Sequence, residues 1–240
     1  MKTDKEIIER IDALTIQGVR HVETLYGAML NTTTQFFSDR ATFKGLQELR
    51  SRLRAQIIGD QTVFTTLLKV HTNVLLMDAA NYVIETTGAK IDAKLYESVG
   101  NLMTQRALTL TDTLKNFSIR DARILENQVQ KLSILAALKV NRGEVTFRDA
   151  IKKMRAQGEP SRVIDRAGRR IDPTKAASSL LRQHYLDTYN DAVVFFLSSA
   201  GYNALTTSNR NLTFKVDEYE DIKSTVFYPT SDSLVRSVHD

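Results

Sequence analysis

The amino-acid sequence has no cysteine and few helix breakers, with three prolines and ten glycines in 240 residues. The absence of cysteine excludes disulfides, thiolate zinc sites, iron–sulfur clusters and cysteine nucleophiles. Because proline and glycine destabilise helices, their scarcity favours long helices over many short strands. No stretch approaches the roughly 18 apolar residues that span a bilayer, and the opening MKTDKEIIER lacks the apolar core of a secretory signal. We therefore expect no membrane partner, and the absence of cysteine fits synthesis in the cytoplasm.

The apolar pattern predicts a helical bundle. Apolar residues recur at helical spacing in five segments, which are 4–37, 42–58, 61–86, 92–116 and 119–140. Gly59 and Asp60 indicate a break between the second and third segments, and Asp92 has the position of an N-cap. Short links between helices of this kind are typical of bundles.

The second half of the chain has clearer start and stop signals. Thr146 indicates the start of a short basic helix over Phe147–Gln157, and residues 159–172 have the composition of a basic loop. Asp172 followed by Pro173 predicts a strong helix start. That helix runs to about Ser199 and ends at Gly201.

The C-terminal forty residues change character. The segments 211–216 and 224–228 have strand-like composition, which predicts either a hairpin or an extended arm that docks on a partner. The predicted fold is therefore mainly α, an elongated helical bundle with a small C-terminal β hairpin or extended arm. Its expected parts are a helical bundle (1–140), a basic helix-loop-helix region (141–201) and the C-terminal β or extended arm (202–240).

The net charge of +5 is concentrated in one segment, 142–170, where nine Lys or Arg stand against four Asp or Glu. A local basic segment implies a local anionic partner. Guanidinium forks suit phosphate or carboxylate, so a nucleic-acid backbone or an acidic protein surface would both fit, and so would a solvated loop whose arginines pair with the nearby acids. The candidate phosphate- or partner-binding residues are Lys152, Lys153, Arg155, Arg162, Arg166, Arg169 and Arg170.

No pattern of catalytic or metal-binding residues is present. The four histidines are scattered, and His184 with Asp187 on one helix face supplies only two ligands. The sequence has no nucleophile elbow, no phosphate-binding glycine loop and no paired carboxylates. We expect no enzyme activity, no metal and no cofactor; the alternative is an enzyme whose site is assembled only by tertiary contacts.

Residues 165–209 resemble a known family. The stretch begins with Asp-Arg-Ala-Gly-Arg-Arg-Ile-Asp-Pro, continues with a helix that carries Arg182, and closes with Ala-Gly-Tyr-Asn-Ala-Leu-Thr-Thr-Ser-Asn. This order is similar to the shared region of tailed-phage minor capsid, or head morphogenesis, proteins. The matching positions are Gly168, Arg169, Arg182, Gly201 and Ser208, whereas Ile171 stands where the family pattern has an aromatic residue.

The resemblance implies a virion structural protein that acts through protein–protein assembly, near the portal or the inner capsid face. Its implied partners are the portal and major capsid proteins, further copies of the same chain and packaged DNA, with assembly in the host cytoplasm and a final place in the virion. The alternative hypothesis is a nucleic-acid-binding protein that uses the basic segment 142–170.

Overall fold

The computed structural model describes residues 2–39, 43–143, 149, 172–208, 212–227 and 232–237. These residues form a mainly helical structure in which four long helices pack as a bundle, followed by a small antiparallel sheet near the C-terminus. The predicted fold class is confirmed. None of the helices in these ranges has the length and apolar character needed to cross a membrane.

The four long helices are α1 (Asp4–Asp39), α2 (Phe43–Thr87), α3 (Ala93–Asn141) and α4 (Pro173–Ser199). Two predicted helix starts are confirmed by their capping hydrogen bonds. The Asp92 carboxylate accepts from the Leu95 amide at 2.7 Å before α3, and the Asp172 carboxylate accepts from the Thr174 amide at 3.1 Å before α4. Each cap satisfies an amide that has no partner inside the helix.

Two predicted helix boundaries are wrong. Helix α2 continues through Gly59 and Asp60, and α3 continues through residues 117–118. A glycine inside a helix costs only about 1 kcal/mol, and buried Ile57 and Phe64 on either side continue the apolar face of α2. Within α3, the Ser118 hydroxyl donates to the Leu114 carbonyl, so the serine is accommodated inside the helix. The predicted basic helix 147–157 and the loop 159–172 lie outside the described residues, apart from Asp149 and Asp172.

The C-terminal sheet has three antiparallel strands, β1 (Ala204–Thr207), β2 (Thr213–Lys215) and β3 (Val235–Ser237), in the order β2-β1-β3. The predicted strand 211–216 is confirmed as β2. The strand predicted at 224–228 is wrong, because Tyr219–Val226 forms a short helix, α5. Packing outweighs the β-propensity of this segment, since the Phe227 ring that follows α5 contacts the rings of Phe214 and Tyr219 edge-on.

The chain forms two compact units, each built from separate stretches of sequence. Unit 1 comprises residues 1–19, 64–111 and 176–240, and unit 2 comprises residues 20–63 and 112–175. The core of unit 1 includes Tyr185, Tyr189 and Phe196 of α4, which are at most 1% exposed. The core of unit 2 includes Leu53 of α2 and Leu125 of α3, which are equally buried.

Candidate functional site

The predicted basic site lies outside the part of the chain that the structure describes. This applies to every predicted phosphate- or partner-binding residue and to the first glycine of the family motif, Gly168. The binding residues are Lys152, Lys153, Arg155, Arg162, Arg166, Arg169 and Arg170. At the edges of the segment, Arg142 and Asp149 are described and exposed. The binding role of the segment therefore stays a prediction.

The other three motif residues lie in unit 1. Arg182 of α4 is only 19% exposed at its side chain and contacts two carboxylates, with its Nε atom 3.0 Å from Asp12 Oδ1 and its Nη2 atom on Asp232. Burial opposes the charge of Arg182, but the hydrogen bonds to Asp232 and Asp12 outweigh burial and raise its pKa. The guanidinium is thus engaged within its own chain and joins α1, α4 and the segment before β3.

Gly201 and Ser208 shape the C-terminal sheet. Gly201 follows the end of α4 with a φ of +90°, a conformation that side chains disfavour. At the end of β1, the Ser208 amide donates to the Leu234 carbonyl, and the Ser208 hydroxyl accepts from the Leu234 amide, both at 2.9 Å. The observed contacts of these two residues are structural.

A buried charged cluster was not found by sequence reasoning. We define the Asp191 cluster as Arg106 of α3, Asp191 of α4, and Tyr219 and Lys223 of α5. Asp191 is 1% exposed and forms an ion pair with Arg106. The Lys223 ammonium lies 2.7 and 2.8 Å from the two Asp191 carboxylate oxygens, and the Tyr219 hydroxyl donates to Asp191 at 2.7 Å.

The electrostatics of the Asp191 cluster indicate that it stabilises the fold. Burial raises the pKa of the Tyr219 hydroxyl well above its ordinary value, and the nearby Asp187 adds to this effect. Burial also lowers the pKa of Lys223, while the same Asp187 charge opposes that shift. Both Asp191 oxygens are occupied by donors, so this carboxylate is not a free base or nucleophile. The cluster joins α3 and α5 to α4.

The histidine and acid pattern does not form a metal site. His184 is buried, and the Asp187 carboxylate accepts a hydrogen bond from the Gln183 amide at 2.7 Å. His71 lies between Tyr185 and Gln17, with its Nδ1 atom 2.7 Å from the tyrosine hydroxyl oxygen. In the described ranges, no group of three or more His, Asp or Glu side chains could hold a metal ion.

One groove in unit 2 carries positive charge. It has a volume of about 350 Å³ and lies between α2 and α3. Arginines from both helices line it, namely Arg50, Arg54 and Arg123, together with Glu126. We call it the arginine groove. The sequence contained its signal, an Arg50–Arg54 pair spaced by one helical turn, but the partner arginine is supplied by packing.

Comparisons with known proteins give no relatives. No family model, curated protein or solved structure matches this chain.

Proposed function

We propose that this protein is a virion structural protein of the minor capsid or head morphogenesis kind, which acts through protein–protein assembly at the portal or inner capsid face. The similarity of residues 165–209 to that family supports the virion setting. The sequence has no pattern of catalytic residues, and both carboxylate oxygens of Asp191 in the Asp191 cluster are occupied by donors. Both observations favour a binding role over an enzymatic one.

The observation that carries the assembly role is an exposed apolar row on α2. Val70, Met77 and Ile84 are 54%, 56% and 43% exposed and are spaced by seven residues. Side chains at this spacing lie along one face of a helix. Several exposed apolar residues along one helix face are typical of a protein–protein contact site, whereas single exposed apolar residues are not.

The spacing of this row fits a second copy of the chain. Between Val70, Met77 and Ile84 lie Val74 and Asn81, so the face follows the 4-3 spacing of a two-stranded coiled coil. Asn81 takes an a position in that pattern. A single asparagine at an a position favours a parallel pair in fixed register, because it leaves a buried amide unpaired in other registers. We therefore propose that two copies pair in parallel through α2.

Cross-linking tests this pairing directly, because the native chain has no cysteine. A parallel two-fold pair brings Met77 against its own copy, so the Met77→Cys variant should form a disulfide-linked dimer under mild oxidation. The Ile16→Cys variant is the matched control, since Ile16 is 53% exposed but lies on α1. Equal cross-linking of the two variants, or a wild-type protein that stays monomeric in light scattering, would contradict the proposal.

The virion role is tested with the particle itself. We expect the protein in purified particles at a fixed copy number by quantitative mass spectrometry, and we expect it to bind the portal or major capsid protein of the same particle. Absence from the particles, or no binding to either protein in sedimentation, would refute the virion role without affecting the α2 pairing.

The second candidate function is nucleic-acid binding through segment 142–170, supported by its excess of five positive charges. Phosphate contacts would make the affinity fall steeply with salt. Replacing Arg166, Arg169 and Arg170 with alanine should weaken DNA binding and flatten its salt dependence. Unchanged binding by the triple variant would remove this candidate.

A further inference from the structure

We propose that the arginine groove of unit 2 is a binding site for phosphate groups, separate from the basic segment 142–170. The site rests on three features, which are an antiparallel register that brings arginines from two helices together, two guanidiniums that contact no carboxylate in the part of the chain that the structure describes, and an apolar floor.

The register follows from contacts between α2 and α3. Arg50 pairs with Glu126, and the Gln61 amide donates to Asp112 at 3.1 Å, so the two helices run antiparallel. Arg54 lies four residues after Arg50, and Arg123 lies three residues before Glu126. In antiparallel helices, both shifts run in the same direction along the groove. Arg54 and Arg123 therefore lie at about the same level, one turn from the Arg50–Glu126 pair.

The charges of the four ionised side chains that line the groove do not cancel. The Arg50 Nε atom lies 2.9 and 3.0 Å from the two Glu126 oxygens, and hydrogen bonding to this carboxylate raises the pKa of Arg50. Neither Arg54 nor Arg123 contacts a carboxylate among the described residues of unit 2. Three arginines against one glutamate leave a net charge of +2.

The floor of the groove is apolar, while Arg54 and Arg123 are exposed. Leu53 and Ile57 of α2 and Ala122 of α3 are 1%, 2% and 7% exposed, so they belong to the core of unit 2. Arginine side chains that emerge beside such a core lay their methylene groups on apolar surface and hold the guanidinium at the rim. Less side-chain entropy is then lost when an anion binds.

Phosphate fits this arrangement better than carboxylate does. A phosphate offers three or more oxygens, so two guanidinium forks can bind it at once from opposite walls, and a monoester dianion matches the charge of +2. The groove volume of about 350 Å³ exceeds that of one phosphate and lies at the lower end of ligand sites. The remaining space accommodates the group that carries the phosphate, either a nucleic-acid backbone or a small phosphorylated molecule.

The test uses the full chain with two probes, inorganic phosphate and a short labelled DNA duplex. Phosphate binding is measured by calorimetry, and DNA binding by fluorescence anisotropy over a range of salt concentrations. The Arg54→Gln/Arg123→Gln variant should lose saturable phosphate binding and bind DNA about tenfold more weakly. Its plot of log affinity against log salt should be shallower by about one, because the two arginines hold one phosphate between them.

The Arg52→Gln variant is the matched control. Arg52 lies on the same helix at 62% side-chain exposure, but it pairs with Glu48 and does not line the groove. The control should bind both probes as the wild type does. Loss of phosphate binding alone in the Arg54→Gln/Arg123→Gln variant identifies a small phosphorylated ligand, whereas weaker binding of both probes identifies a backbone site, and either result supports the proposal.

Three results would overturn the proposal. The first is no binding of either probe by the wild type, and the second is an equal loss in the Arg52→Gln control. The third is displacement of phosphate by a glutamate-rich peptide at far lower concentration, which would show an acidic protein ligand. The triple variant of segment 142–170 should keep its phosphate binding, so failure of the nucleic-acid candidate and failure of this site give different results.

Discussion

His184 should make the protein less stable as the pH falls from about 7.5 to 4. Its side chain is 9% exposed on α4. Burial, and secondarily the positive charge of Arg106, lower its pKa from 6.5 to about 4. The folded protein therefore holds this imidazole neutral at pH values where the unfolded chain already binds a proton.

The magnitude follows from linkage. Each unit of difference in pKa between the folded and unfolded states corresponds to about 1.4 kcal/mol. A decrease from 6.5 to about 4 thus lowers the free energy of unfolding by about 3 kcal/mol over this pH interval. The sign is fixed because the unfolded state takes up the proton first. The stability that the neutral His184 contributes is fully present above the pKa of this residue in the unfolded chain. It is lost as the pH falls towards the pKa of His184 in the folded protein. Burial also lowers the pKa of His71, so that group acts in the same direction.

Urea unfolding of the wild type and the His184→Gln variant at several pH values isolates this effect. Glutamine has a similar volume but does not titrate, so the difference in unfolding free energy between the two proteins reports the histidine. We expect that difference to shift by about 3 kcal/mol between pH 7.5 and 4. A direct NMR titration should show that the His184 ring stays neutral down to about pH 5.

A difference between wild type and variant that stays constant over the pH range would refute this reasoning. An imidazole that titrates near 6.5 in the folded protein would refute it equally. Either result would mean that water reaches the ring, or that α4 is not packed against α3 as described.

Three further substitutions give clear expectations in thermal and urea unfolding. Gly59→Ala should stabilise the protein by about 0.5–1 kcal/mol, because nothing lies within 4 Å of the added methyl group inside α2; a loss of stability would show that the helix is broken there. Gly18→Ala should destabilise it, because the added methyl group would lie 2.8 Å from the Leu181 Cδ1 atom; a neutral effect would mean that Leu181 moves aside freely. Asp191→Asn should destabilise it by about 3–5 kcal/mol, because Arg106 and Lys223 lose their common counter-charge. A variant that melts at the wild-type temperature would show that the Asp191 cluster does not stabilise the fold.

The features of the fold that were predicted correctly are those that depend on residues close together in the sequence. The caps at Asp92 and Asp172 use a carboxylate that accepts amides two or three residues later, so the sequence alone reveals them. The predicted break at Gly59 failed because the local cost of glycine is small compared with the packing of the apolar face on both sides. The predicted strand at 224–228 failed for a related reason. Its apolar residues pack from a helix as well as from a strand, and contacts with Phe214 and Tyr219 favour the helix.

The candidate sites likewise divide into those that the sequence reveals and those that only helix packing forms. The basic composition of segment 142–170 and the family resemblance of residues 165–209 are properties of the sequence, and they motivate the proposed virion role. The Asp191 cluster joins residues 106, 191, 219 and 223, and the arginine groove joins residues 50, 54 and 123. Helical spacing links only residues 50 with 54 and 219 with 223, because the approach of the other positions is set by the packing of whole helices.

Interactions between residues close together in the chain are enough to specify the mainly helical fold class. The scarcity of proline and glycine in this chain, its apolar periodicity and its capping residues specify long amphipathic helices, since these effects act over one or two helical turns. Which charges are neutralised, in contrast, depends on the packing of helices that are distant in the chain. Arg182 is engaged by Asp12 and Asp232, whereas Arg54 and Arg123 line a groove without a partner acid among the described residues. An ion pair needs two groups within about 4 Å, and the packing between such helices sets that distance.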